Sequence, residues 1–255
     1  MHKLHRLIKW GTMCPTKCFS NDVMVDGFRH SVIPLSAYDE VIKFGYKYFH
    51  PQNFISCTCN IPDRRRAYLD EMWYQAIQDG ISTMTEDPNT GEILAIHLIR
   101  IVTPRTNLAE EERKKNLKDA AVLKYLAIRE KTQPHLFTDL FKLHNIDKIA
   151  SGVAGATHEK YQQIHNFQTH LNELSMRACK DKGLKYCTSV VSRKGGRNVI
   201  KALGYEILSS FKLSTVIPKN DVSFYNIDEN DDEIYYIFGE VESLLEKVAR
   251  YNHKK

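Results

Sequence analysis

The chain has 255 residues, 42% of them hydrophobic and 26% charged, with a formal net charge of +5. This is the range of ordinary globular domains, with ample material for a core. No stretch approaches the roughly 20 consecutive apolar residues of a membrane span, and no basic stripe with interleaved aromatics points to nucleic acid. 

Residues 1–20 read as a loosely ordered extension, and residues 21–250 as one domain. The extension opens "MHKLHRLIKWGTMCPTK", basic but without an apolar run of signal-peptide length, so the expected location is cytoplasmic. "VMVDGFRHSVIPLS" (23–36) has the β-branched and aromatic content of a strand closed by Pro34. Ser36 is a candidate N-cap for a helix carrying Val41, Ile42, Phe44, Gly45 and Tyr48 and stopping before Pro51. "RRRAYLDEMWYQAIQDG" predicts a second helix, with Tyr68, Leu69, Met72, Trp73, Ala76 and Ile77 at helical spacing and Gly80 as its stop. "ISTMTEDPNTGEILAIHLIRIV" is a hairpin, two β-rich runs around the turn residues "DPNTG".

One charged amphipathic helix is expected over "NLAEEERKKNLKDAAVLKYLAIREK" and a shorter one over "PHLFTDLFKLHN". Then follow a strand "IDKIASGVAGA", a helix "FQTHLNELSMRACKDKG", a strand "LKYCTSVV", a short helix "GRNVIKALG" and two closing strands, "YEILSSFKLST" and "EIYYIFGEV". The acidic run "DENDDE" (228–233) reads as a solvated turn, and the last ~10 residues as a basic tail after a short helix. A strand–helix–strand–helix run after an antiparallel hairpin implies an α/β fold, a central mixed twisted sheet with helices on both faces.

Of the six cysteines, Cys179 and Cys187 fall on apolar positions and read as small core residues. Cys14-x3-Cys18 and Cys57-x-Cys59 together offer four thiolates to zinc, but the C-x-C spacing fits a tetrahedral site poorly, so no metal is expected.

Three stretches together resemble the GNAT acyltransferase superfamily, and within it the insect-type arylalkylamine N-acetyltransferases. "QDGISTMTEDPNTGEILAIHLIRI" is similar to the family's "gifvaeDpeTGeivG" hairpin. The helical insertion after it matches the arylalkylamine branch, and "RNVIKALGYEILSSFKL" is similar to the "lfekLGFe" segment near the family's C-terminus. The likeness runs from about Val23 to Phe238. It implies a GNAT fold, acetyl-CoA as co-substrate, a small arylalkyl-type amine as acceptor and direct acetyl transfer between them.

In that family the strand written here "IASGVAGA" ends beside the cofactor, which implies contacts at Gly155, Ala156 and Thr157. The turn after it carries R/Q-x-x-G-x-G/A, because backbone N–H groups at a helix start point at a pyrophosphate and glycine lets the chain approach closely. The corresponding residues here are Gln162, Gln163, Ile164, His165, Asn166 and Phe167, and "HEKYQQIHNFQTHL" has no glycine at all. Two readings stand: a working cradle in which Gln162, Gln163 and His165 add side-chain donors, or one filled by His165 and Phe167.

The family's base, a glutamate in an "F-x-x-E-P-L"-like stretch, is replaced in "YFHPQNFISC" by Gln52 and Asn53, and an amide does not take up a proton. His50, two residues away, and His97, in the hairpin strand, are the substitute candidates, each with an ordinary pKa near neutrality; His50 also reads as a plain surface histidine before a proline, and His97 as a satisfied core histidine. His158, at the start of the loop, is expected to be structural. Of two serines that assist in insect enzymes, Ser192 matches the first and Gly196 stands at the second. Arg193, Lys194 and Arg197 either face cofactor phosphates or form a solvated turn. The rival to an enzyme is a catalytically silent GNAT-fold protein that binds an amine, an acyl-CoA or a protein partner.

Overall fold

The computed structural model describes residues 22–61, 65–132, 136–162, 166–216 and 233–253. Its centre is an 8-stranded sheet in the order β1-β2-β3-β4-β5-β6-β8-β7, formed by Val23–Val25, Phe28–Val32, Thr83–Glu86, Ile93–Val102, Ile149–Thr157, Tyr186–Val191, Glu206–Lys212 and Glu233–Glu240 for β1 to β8 in chain order. All neighbours run antiparallel except β5 and β6.

The stretch 23–36 is a hairpin and not one strand. Asp26 and Gly27 both have positive φ, 52° and 83°, the two-residue turn whose twist matches paired strands. Ser36 caps nothing: it lies in a 3-10 turn, Leu35–Ala37, ahead of α1 (Tyr38–Phe44), whose N-cap Ala37 has no side-chain bond. The helical path then continues past Pro51 as a π turn, Gly45–Phe49, and a 3-10 turn, His50–Gln52. Gly45 permits this. A Cβ there would stand 1.9 Å from the Trp73 ring, so the indole packs directly on backbone.

A five-residue helix, α2 (Phe54–Thr58), follows, with Asn53 Oδ1 accepting from the Ser56 N–H as its cap. The next, α3 (Ala67–Gln78), buries the six apolar side chains expected of it. The charged insertion is two helices, α4 (Pro104–Lys115) and α5 (Ala120–Thr132). Asp119 sets the break. Its carboxylate accepts from the Ala121 and Val122 N–H groups at 3.0 and 3.2 Å, and both of its oxygens accept from one guanidinium nitrogen of Arg66, Nη1, at 2.9 and 3.0 Å. The remaining helices are α6 (Leu136–His144), α7 (Phe167–Asp181), α8 (Lys194–Leu203), α9 (Leu213–Val216) and α10 (Val241–His253). The last of these runs where a basic tail was expected.

Alternation along the strands separates two cores. Ile96, Leu98, Ala154 and Ala156 pack with α1, α3 and α5, including Val41, Leu69, Trp73 and Tyr125. Ile99, Ala150 and Cys187 pack with Met176 and Cys179 of α7 and Val241 and Leu244 of α10. Cys179 and Cys187 are core residues as expected, whereas Cys14, Cys18 and most of "DENDDE" lie outside the described residues. Among the described residues, no helix is long and apolar enough to cross a membrane.

Candidate active site

The site begins where two strands part. β5 and β6 pair only at Ala150↔Cys187 and Ser151↔Thr188, although β5 continues to Thr157 beside β4 and β6 to Val191 beside β8. The divergence starts at Gly152 and Ser189. A Cβ on Gly152 would lie 2.3 Å from Ser189 Oγ and 2.8 Å from Ser189 Cβ, so glycine is what lets β5 come close enough to pair before the split. Opposite β4 the register skips from Leu98↔Ala154 to Ile99↔Gly152. Val153 is thus the extra residue of a bulge, outside the ladder at the edge of the gap.

A cavity of about 300 Å³ fills the split. Tyr48 and Phe49 reach it from the π turn, Tyr125 and Arg129 from α5, and His97, Gln168, Ser189 and Ser192 from the strands and helix starts around it. Among the described residues no carboxylate lines it, while Arg129 and Arg193 do. Gln168 braces one wall, its Nε2 donating to the carbonyls of Ile96 and Ala156 at 3.1 and 2.9 Å and to Thr157 Oγ1 at 3.2 Å.

The two histidines part company here. His97 is half-buried and lines the cavity. Its Nδ1 stands 3.3 Å from Ser175 Oγ, which in turn lies 2.9 Å from Thr83 Oγ1. His50 does not line the cavity. It is 3% exposed, stacked on Trp73 at 5.3 Å, with Nδ1 at 3.1 Å from Ser56 Oγ. Burial pushes the imidazole of His50 down to about 3 and that of His97 to about 4, the latter against a backbone bond with Leu171. Neither keeps the ordinary value that made them candidates, because burial disfavours the charged ring.

Gln52 lines the cavity, while Asn53, also at its edge, spends its side-chain oxygen on capping α2. Ser192 is half-buried on the wall, and its carbonyl accepts from Arg197. Gly196 faces Val191, and a Cβ there would stand 2.9 Å from Val191 Cγ1, too close without a shift of that side chain.

At the end of β5, Gly155 lines the cavity, Ala156 is 6% exposed and turned into the α1–α3 core, and the Thr157 carbonyl accepts from Gln162 Nε2 at 3.0 Å. His158 has the structural role expected: Nδ1 accepts from the Lys160 N–H at 3.2 Å, and its own N–H donates to Leu94. Gln163, Ile164 and His165 lie outside the described residues. The Asn166 carbonyl opens α7 by accepting from Thr169 and His170. Phe167 does not fill a cradle. It is 2% exposed and packs edge-on with Phe28 at 5.0 Å, beside Leu94 and Leu171.

Ser189, Tyr125, Arg129 and Gln168 were not picked out from the sequence. Tyr125 and Arg129 stand at i, i+4 in the insertion, and that spacing was the legible signal for a shared helix face. Ser189 carries none, since its place depends on a glycine of another strand.

No family model and no curated protein matches the chain by sequence. Solved structures match its fold. Arylalkylamine N-acetyltransferase 2 from Aedes aegypti superposes with a TM-score of 0.72 at 17% identity, over 85% of this chain and 100% of that one. A mosquito arylalkylamine N-acetyltransferase-like protein, 5b, gives 0.67 at 14%, over 84% and 99%. The Drosophila melanogaster polyamine N-acetyltransferase that forms N-acetylagmatine gives 0.65 at 12%, over 84% and 99%. The chain therefore has the GNAT acyltransferase fold, in the form found in arylalkylamine and polyamine N-acetyltransferases.

Proposed function

We propose that the chain transfers an acetyl group from acetyl-CoA to a small, arylalkyl-type amine within the split between β5 and β6. The observation that carries this reading is the split itself: two parallel strands with no ladder between them beyond Ser151↔Thr188, opening on a 300 Å³ cavity. Strand edges left unpaired inside a sheet demand hydrogen-bond partners, and an extended amide-bearing chain such as that of acetyl-CoA supplies them. Its phosphates belong at Gln162 and the start of α7, where N–H groups and the helix dipole favour anions without glycine. Gly155, Ala156 and Thr157 form the strand end beside it, with Asn166 and Phe167 at the helix start, Phe167 through its backbone alone.

The amine nitrogen attacks the thioester carbonyl, the C–S bond breaks, and one amine proton must leave as the thiolate takes one up. His97 is the acceptor within reach of the cavity, with Ser192 on the wall as a relay. His50 acts, if at all, through the packing of the π turn. With no carboxylate in the lining among the described residues, Arg129 and Arg193 disfavour an ammonium and so favour the neutral, nucleophilic amine.

The test is calorimetric titration of acetyl-CoA followed by assay of thiol release with tryptamine and tyramine. Binding with amine-dependent release supports the reading. Binding without transfer to any amine makes the chain the silent binding protein, which the loss of the acid at Gln52 favours. No binding rejects acetyl transfer and means that the fold has been kept and the chemistry abandoned.

A further inference from the structure

Thr83, His97 and Gly155 stand directly opposite one another on β3, β4 and β5. Thr83 and the α7 residue Ser175 are fully buried, and their hydroxyls form a row that leads away from the His97 ring. His97 Nδ1 lies 3.3 Å from Ser175 Oγ, Ser175 Oγ lies 2.9 Å from Thr83 Oγ1, and Thr83 Oγ1 donates to the Leu171 carbonyl at 3.1 Å.

The row has a direction, because each hydroxyl carries one proton and a carbonyl carries none. The Thr83 proton is spent on Leu171. The proton between Thr83 and Ser175 must then be that of Ser175, and Ser175 can only accept from the ring. His97 therefore has its hydrogen on Nδ1 and its lone pair on Nε2. The Leu171 carbonyl, which also bonds the ring, likewise only accepts. The other edge of the ring faces the split: Cδ2, next to Nε2, is 3.9 Å from where a Cβ on Gly155 would stand, and both residues line the cavity.

We propose that Thr83 and Ser175 are positioning residues that hold the His97 proton on Nδ1 and so present Nε2 to the split as an acceptor. The group it meets there is a donor, an N–H of the neutral amine; the identity of that donor rests on the acetyl-transfer reading, and the tautomer does not. As the amine nitrogen attacks the thioester carbon, the C–N bond forms and the C–S bond breaks. One N–H proton passes to Nε2 and from there to the departing sulfur, so the ring begins and ends neutral with Nδ1–H in place. The hydroxyl row offers that proton no other exit, since it ends on an amide carbonyl, which is no base. Burial disfavours the charged ring and favours the return.

Two-bond ¹H–¹⁵N NMR of the His97 ring in the full chain, near neutral pH and without acetyl-CoA or amine, tests the assignment, with His97→Gln to identify its signals. Nδ1 is expected to carry the proton. Thr83→Val and Ser175→Ala should each shift the ring toward the Nε2–H form, and Thr83→Ser should keep the original pattern. A ring protonated at Nε2 in the unaltered chain overturns the proposal. So does an unshifted ring in both Thr83→Val and Ser175→Ala, which would leave the Leu171 carbonyl alone holding the tautomer. Thiol release with tyramine separates this from the reading beneath it. In Thr83→Val, kcat should fall by about ten-fold or more with the KM for acetyl-CoA kept, since a base in the wrong tautomer is lost and general bases contribute ~10²–10⁴-fold. Thr83→Ser should restore it. A shifted tautomer with unchanged kcat overturns the positioning role and leaves acetyl transfer intact. No transfer in any form, with the ring protonated at Nδ1, overturns acetyl transfer and leaves the tautomer assignment standing.

Discussion

Gln162 Nε2 donates to Gln52 Oε1 at 3.0 Å, across 110 residues of sequence. Arg193 Nε donates to the Gln52 carbonyl at 2.9 Å. The residue that stands at the family's acid therefore ties the turn after β5 to the start of α8, over the mouth of the split. Its amide is a tie between the two walls, and a carboxylate at the same place would keep the bond from Gln162.

Gln52→Glu accordingly is expected to preserve the tie and add a proton acceptor. If transfer occurs, its rate should rise by about ten-fold or more, given that general bases contribute ~10²–10⁴-fold. Steady-state rates with tyramine check this; an unchanged rate with intact acetyl-CoA binding would show that position 52 has no part in proton transfer.

Acidification should destabilise the fold. Burial holds His30 at about 4, His50 at about 3 and His97 at about 4, against roughly 6.5 in an unfolded chain. Below 6.5 the unfolded chain binds protons that the folded chain refuses, so stability is present in full above that pH and is lost as pH falls toward 4. The slope approaches ~1.4 kcal/mol per pH unit for each such ring. Melting curves from pH 7.5 to 4.5 measure it, and His50→Phe should flatten it. For the same reason, any transfer rate between pH 6 and 9 should follow the amine's own deprotonation, without the inflection near 7 that unperturbed histidines would give.

Gly152→Ala would set a methyl 2.3 Å from Ser189 Oγ. Overpacking of this kind costs about 1–3 kcal/mol. Ser189→Gly in the same chain should recover part of the loss. Denaturant midpoints for the two single variants and the double decide it: additive losses would mean that the two residues do not meet.

Phe167→Ala should destabilise by about 3–5 kcal/mol without tightening acetyl-CoA binding, because the ring is 2% exposed among Phe28, Leu94 and Leu171. Calorimetry on a still-folded variant that shows tighter binding would instead place the ring in the cradle.

Much of the architecture was legible because it depends on local periodicity. The six apolar positions of α3, the β3–β4 hairpin around "DPNTG", and the strand–helix–strand run from β5 to β6 all follow from residues within a few places of one another. The Asp26–Gly27 turn is equally local, a two-residue Asp-Gly signal between β-rich runs. The break between α4 and α5 was not local: Asp119 holds it open while also binding Arg66, 53 residues away.

By itself the sequence determined the run of elements from β5 to β8, the mixed sheet and the resemblance with its missing glutamate and glycines, since these reside in residue identity and short spacing. Tertiary structure alone decided which groups share the split. It took His50 out of the cavity and onto Trp73, lowered both imidazoles by burial, and turned Phe167 inward. It also set Ser189 against Gly152, and left His30 Nε2 and Asn252 Oδ1 without a hydrogen-bond partner among the described residues. Burial and contact between distant strands are properties of the packed chain, and a proton affinity or a close approach has no value until that packing exists.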